Sequence, residues 1–203
     1  MKKLVLVLLS VLSLTGWTQP FNGGVLVGGV ISQVDGDNNG GYHKFGLLGG
    51  GFVSLRISPA SSLQFEMEYI QKGARISDSL TGNTTLNRIH YLELPLLYQF
   101  TFAKRLQAEI GPAADVFLGS YNEVNGAEAP DNGISPYKTV SITGIAGLAC
   151  FLTPHLKAGI RVNYSLTSSR SNFNGPYSRY ILWQRGQFNN LLSLQLSWYF
   201  KER

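Results

Sequence analysis

Eight apolar–polar alternations of period two run through this chain between residues 24 and 200, and they constrain its fold more than any other feature. They fall at 24–33, 45–57, 63–72, 88–102, 106–118, 139–152, 156–166 and 188–200. The third is the cleanest: Leu63, Phe65, Met67 and Tyr69 alternate with Gln64, Glu66 and Glu68, and Lys72 follows in phase with the polar set. The seventh opposes Leu156, Ile160, Val162, Tyr164 and Leu166 to Lys157, Arg161, Asn163 and Ser165. Successive side chains of a strand point to opposite faces, so each run predicts a strand with one apolar and one polar face.

The connections narrow the choice further. Those at 58–62, 103–105 and 153–155 are tight, whereas those at 34–44, 76–87, 119–138 and 167–187 are long and polar. Strict alternation of short and long links over an even number of strands predicts an all-β, eight-stranded antiparallel up-and-down transmembrane β-barrel, with turns and termini at one end and loops at the other. A soluble sandwich has no reason to keep that order. Composition agrees: only 14% of residues are charged, against about 25% in a typical soluble domain. With 23 glycines, 12% aromatic residues and a mean hydropathy of +0.01, the chain is neither a disordered charged tail nor a helical bundle. A single cysteine, Cys150, excludes a disulfide framework and reads as a small residue on the apolar face.

The first residues stand apart from this pattern. Lys2 and Lys3 precede an apolar stretch at 4–14, and Gly16 and Thr18 occupy the −3 and −1 positions of a cut before Gln19. This predicts a signal peptide at 1–18 and one barrel domain at 19–203. No later segment approaches the roughly 18 apolar residues of a spanning helix. A membrane-embedded mature chain must therefore close its sheet, because lipid offers no partner for an open edge.

Turning the apolar faces outward sends Arg56, Lys72, Lys157 and Arg161 inward with Glu66, Glu68, Glu93, Glu109 and Asp115. The opposite choice would put these charges in lipid, at about 2–4 kcal/mol for each Lys or Arg at mid-depth. The expectation is a salt-bridge network filling a narrow lumen, with cation binding or proton passage at the carboxylates as the less favoured reading. Aromatic girdles are expected at Phe65, Phe100, Phe102, Trp198 and Phe200 toward the turns, and at Phe45, Tyr164 and Phe188 toward the loops. Pro95 and Pro112 interrupt predicted strands, which predicts a bulge at each. Gly49, Gly50 and Gly51 predict a strongly coiled strand or close packing under a large neighbour.

Catalytic chemistry does not emerge. His43, His90 and His155 lack metal-ligand spacing, no Ser–His–acid set is arguable, and no phosphate-binding glycine loop precedes a helix. The expectation is no enzyme, no cofactor and no metal. Arg170, Arg179 and Arg185 are interleaved with Tyr177, Tyr180 and Trp183, which reads as a solvated, aromatic-rimmed loop and not as a nucleic-acid surface. Any recognition of a protein or glycan is assigned to Tyr121, Tyr177, Tyr180 and Trp183 on the long loops.

Three stretches carry a family likeness: the nonapeptide at 65–73 (FEMEYIQKG), the heptapeptide at 91–97 (YLELPLL), and Ile110-Gly111-Pro112. They resemble the PorT-like outer-membrane β-barrel domain family of Bacteroidota. The resemblance implies an outer-membrane barrel in a Gram-negative envelope, with both mature termini periplasmic and lipid around it. The final run resembles the aromatic-ended signal read by the barrel-assembly machinery, with Trp198 and Phe200 outward, although Lys201, Glu202 and Arg203 follow. Asp78-Ser79-Leu80 resembles an O-glycosylation acceptor of the same bacteria. The leading expectation is a small non-enzymatic barrel serving envelope structure or loop-mediated interaction. An accessory part in type IX-like protein secretion is the alternative. A soluble lipocalin-like barrel would need the inverse distribution of charge.

Overall fold

The computed structural model describes residues 21–36, 41–77, 82–129, 136–171, 179–181 and 184–201. Eleven strands follow in order: β1 (Phe21–Asp35), β2 (Lys44–Arg56), β3 (Ser61–Ser77), β4 (Thr84–Thr101), β5 (Leu106–Val124), β6 (Ala127–Glu128), β7 (Val140–Phe151), β8 (Leu156–Ser165), β9 (Arg170–Ser171), β10 (Arg179–Ile181) and β11 (Gln184–Tyr199). Eight of them form the wall in the order β1-β2-β3-β4-β5-β7-β8-β11. The ring closes by antiparallel pairing of β1 with β11, from Gly24↔Tyr199 to Asp35↔Phe188. Closure leaves the wall no unpaired edge. The short β6, β9 and β10 pair onto β5 and β11 at the loop end.

The alternation of the sequence becomes an inside and an outside. Val27, Phe45, Leu47, Met67, Ile110, Leu148 and Leu194 are all more than half exposed on the outer wall. Their neighbours along each strand are buried or half-buried. The tight turns are closed by hydroxyls: Ser58 Oγ accepts from Ser61 N at 3.0 Å, and Thr153 Oγ1 accepts from Leu156 N at 3.0 Å. Pro59 and Pro154 follow these residues and fix the backbone for the turn.

Several expectations need correction. Neither proline creates a bulge. The β3–β4 register is the same at Phe65↔Leu96 and Glu68↔Glu93, on either side of Pro95, and Pro112 pairs in step with Gly144. The register shift lies between His90 and Tyr91, which face Gly119 and Phe117, so Leu118 is the extra residue. Gly111 explains how the prolines are accommodated: a Cβ there would stand 2.0 Å from the Leu96 carbonyl oxygen. The backbones of β4 and β5 approach at a distance that only glycine permits. In the glycine triplet the tight position is Gly50, whose Cβ would meet the Met67 carbonyl at 2.1 Å, whereas Gly51 has room.

The strands also run further than the alternation suggested. β4 and β5 contain 18 and 19 residues, against about 9–11 for a tilted membrane strand. The surplus extends the β3–β4–β5 wall beyond the loop end. β5 turns into β6 through Asn125 and Gly126, both at positive φ (53° and 79°). This Asn-Gly pair is the favoured two-residue hairpin turn, and it lay unread inside the predicted 119–138 loop. Phe188, expected on the outer girdle, is fully buried.

Candidate functional site: the charged lumen and its capped mouth

Alternate residues of β3, β4, β5 and β8 bring eight ionisable side chains into the lumen: Glu66, Glu68, Lys72, Glu93, Glu109, Asp115, Lys157 and Arg161, none more than 3% exposed. They divide into two groups. In the first, Lys72 donates to Glu93 and, at 2.7 Å, to Asp115 Oδ2. Thr143 Oγ1 donates to the same Asp115 oxygen at 2.6 Å, and Asn163 Nδ2 donates to Glu93 Oε1 at 2.8 Å. In the second, Arg161 holds Glu66 with two parallel bonds of 2.6 and 2.7 Å and gives Nε–H to Glu109 Oε2 at 2.8 Å. Lys157 donates to Glu109 Oε1 at 2.6 Å. Gln64, Gln99 and Gln107 complete this layer, and Gln195 of β11 turns its amide carbonyl toward the Arg161 guanidinium.

β3 and β8 are four places apart in a ring of eight, so the Arg161–Glu66 pair crosses the whole lumen. A guanidinium is suited to this span, since its planar fork matches a carboxylate with two bonds. An eight-stranded barrel is wide enough for side chains to fill and little more.

Arg56 is not in this group. It lies at the turn end of β2 and is exposed. Its inward phase was right, but the strand ends there. Without it this network holds three cations against five carboxylates. Glu68 is the one left over: it makes no ion pair among the described residues, and its Oε2 is buried without a hydrogen-bond partner. In register it faces Glu93 on β4.

The lumen is also less polar than the charges implied. Leu26 and Val30 of β1, Leu48 and Phe52 of β2, Ile70 of β3 and Leu191 of β11 pack with Tyr91 and Tyr199 into an apolar core. The signal was present in the inward positions of β1, where Leu26 and Val30 stand in phase with one another. Lys44, predicted in a loop, begins β2, is buried, and donates to the Gln71 carbonyl at 2.9 Å.

At the loop end a column of rings stops the barrel. The Arg170 guanidinium lies 3.8 Å from the Tyr137 ring centroid, Tyr137 stacks on Phe117 at 5.2 Å, Phe117 meets Tyr91 edge-on at 6.0 Å, and Lys72 sits over Tyr91 at 5.3 Å. Arg170 was expected in a solvated loop but is buried, held by cation–π contact. Lys138 N donates to Ser169 O and Ser169 N to Gln187 O, both at 2.8 Å, tying the segments after β5 and β8 to β11. Tyr121, expected in a loop, is a half-buried residue of β5 paired with Arg88. Tyr180 falls in β10, opposite Arg185. Tyr177, Trp183, Ser79 and the signal peptide expected at 1–18 lie outside the described residues. Among the described residues, no group of His, Cys, Asp and Glu is arranged to hold a metal ion.

A closed antiparallel ring with an apolar exterior, a charged interior and tight turns at one end defines a membrane-spanning β-barrel. The family model described as outer membrane protein beta-barrel domain matches residues 16–171, and the chain belongs to that family. No curated protein sequence matches the chain. Among solved structures it is similar to Neisserial surface protein A, at 12% identity over 88% of this chain and 97% of that one, with a TM-score of 0.57. Ail of Yersinia pestis, solved with the heparin analogue sucrose octasulfate, gives 10% identity over 89% and 99%, with a TM-score of 0.48. OprG of Pseudomonas aeruginosa gives 15% identity over 89% and 94%, with a TM-score of 0.37. The likeness to Neisserial surface protein A is one of fold.

Proposed function

We propose that the chain is a small non-enzymatic barrel whose filled lumen serves envelope structure and whose loop end carries recognition. The observation behind this reading is the Arg161–Glu66 pair spanning the lumen. An ion pair satisfied on both sides and buried from end to end is built to stay shut, unlike the water-filled interior of a wide pore. Single-channel recording in a planar bilayer tests it. The expected trace shows no stable large conductance, and such a conductance would overturn the reading. Membrane fractionation with a heat-modifiable gel band tests the compartment.

The loop-end wall supports recognition as the second half of the reading. About 7–10 residues of β4 and β5 exceed the membrane span, a projection of roughly 25 Å. Tyr121 stands on that projection with Arg75 and Val124. A protein or glycan partner would meet this wall together with the segment carrying Tyr177, Tyr180 and Trp183. The likeness of residues 65–73, 91–97 and 110–112 to PorT-like barrels favours a Bacteroidota envelope, a leader removed after residue 18, and both termini periplasmic. In that setting an accessory part in type IX-like secretion is the runner-up. Loss of secreted cargo on deletion of the chain would favour it over a structural role.

A further inference from the structure

The two ends of the barrel differ in charge. At the turn end, Arg56, Lys104, Arg105 and Lys201 are exposed, and the described residues there include no carboxylate. Three of these cations, Arg56, Lys104 and Arg105, line a single open groove of about 590 Å3 between the β2–β3, β4–β5 and β7–β8 turns. Thr101 and Thr153 add hydroxyls to its wall, the buried Phe151 closes its inner side at the lumen mouth, and the exposed Leu152 adds an apolar side chain. None of the three cations forms a salt bridge among the described residues.

A second groove lies further along the same strands, on the outer face. It has a volume of about 600 Å3 and its lining is almost wholly apolar. Its floor is lowered by two small outward residues, Ala108 of β5 and Ala146 of β7, while Phe100, Leu148 and Ile160 form the ridges. In register Ala108 faces Leu148 and Ala146 faces Ile110, so small and large residues are offset into a furrow. From Leu152 to Ala146 is six residues along β7 and its turn. At 3.3 Å per residue and a strand tilt near 40° this corresponds to about 15 Å of depth, half of a 30 Å hydrocarbon core.

We propose that these two grooves form one binding site for an anionic phospholipid, its phosphate held by Arg56, Lys104 and Arg105 and one acyl chain laid in the Ala108–Ala146 furrow. The inference rests on the membrane-spanning reading and goes beyond it by naming the ligand. Charge complementarity selects an anionic head over a zwitterionic one, and the furrow selects a lipid over free phosphate. A guanidinium donates a fork of N–H bonds to phosphate oxygens, and each basic residue near the headgroup level adds attraction of its own.

The test is native mass spectrometry of the refolded, detergent-solubilised barrel with palmitoyl-oleoyl-phosphatidylglycerol, the phosphatidylcholine of the same chains, and inorganic phosphate. Expected is a retained phosphatidylglycerol adduct, little phosphatidylcholine adduct, and no displacement by phosphate at equal concentration. The triple variant R56Q/K104Q/R105Q should weaken phosphatidylglycerol by about fivefold per cation, roughly a hundredfold in all. The Arg75→Gln variant at the loop end should leave phosphatidylglycerol retention unchanged. Ala146→Phe fills the furrow and should weaken the lipid while leaving the salt dependence of binding intact. Equal retention of both lipids, displacement by inorganic phosphate, or an adduct indifferent to the triple variant would each overturn the proposal. All three cations are exposed, so the variants are expected to keep the heat-modifiable band. Its absence from the unmodified chain would indict the barrel reading instead, and if the triple variant alone lost it, the single exposed change Lys104→Glu supplies the readout.

Discussion

Removing Arg161 is the most informative single perturbation of this barrel. In the folded state its guanidinium makes two bonds to Glu66 and one to Glu109, all between 2.6 and 2.8 Å, and it is 2% exposed. Arg161→Met keeps much of the volume and removes the charge. Glu66 then retains only the Gln64 amide at 2.5 Å, and Glu109 retains Lys157 and Gln99. The network would pass from three cations against five carboxylates to two against five. Breaking a buried pair by deleting one partner typically costs about 3–5 kcal/mol, because the other charge is left desolvated and uncompensated. Neutralising that partner as well, in the R161M/E66Q double variant, should return at least about 2 kcal/mol of the loss. The assay is reversible urea unfolding in phosphatidylcholine vesicles, followed by tryptophan fluorescence. Trp198 stacks on His155 at 5.4 Å on the outer wall and reports entry into the bilayer. A single-variant loss below about 1 kcal/mol, the scale of an exposed pair, would refute the argument that this pair is structural. So would a double variant no more stable than the single one.

Other substitutions separate the remaining elements of the design. Glu68→Gln removes a buried carboxylate that has no ion-pair partner among the described residues and faces Glu93 in register, so it should be neutral or stabilising by about 1 kcal/mol in the same urea assay; Glu93→Gln weakens the Lys72 and Asn163 contacts and should destabilise. Gly111→Ala brings a methyl group to 2.0 Å from the Leu96 carbonyl and should abolish the heat-modifiable band, whereas Gly51→Ala, with 3.5 Å to its nearest neighbour, should fold normally. Tyr137→Ala removes the ring between Arg170 and Phe117 and should cost about 2–4 kcal/mol, the range of a large-to-small change in a packed site. The loop-end amides of Tyr137, Lys138 and Thr139 should then lose hydrogen-exchange protection before those of β7.

The barrel was legible because its physics is written locally. Period-two alternation fixes which side chains share a face, and the order of short and long connections fixes the topology. The inward carboxylates and cations could be named from phase alone, since a strand cannot hide an odd residue among even ones. What phase cannot supply is the end of a strand. Arg56 has the right parity but sits on the last residue of β2, and Lys44, set aside as loop, opens the same strand and is buried. The prolines misled for a related reason. A missing donor suggests a bulge, but the outcome was decided by Gly111, whose bare Cα lets β5 close against β4 with the register intact.

The count of charges changes meaning once the structure shows where each strand stops. Four cations against five carboxylates read as a nearly balanced filling. Moving Arg56 to the rim leaves the ion-pair network with two carboxylates in excess, and the turn end with cations and no carboxylate among the described residues. The same displacement that unbalances the interior therefore charges the surface that meets lipid headgroups. In the wall between the two ends, alternation keeps charge off the lipid face: Lys72, Lys157 and Arg161 are all inward and held by carboxylates. Carboxylate-held cations in the lumen and exposed cations at the rim are thus two consequences of one arrangement, in which a basic residue is held inside by a carboxylate, a backbone carbonyl as at Lys44 or a ring as at Arg170, or is placed where phosphate can reach it.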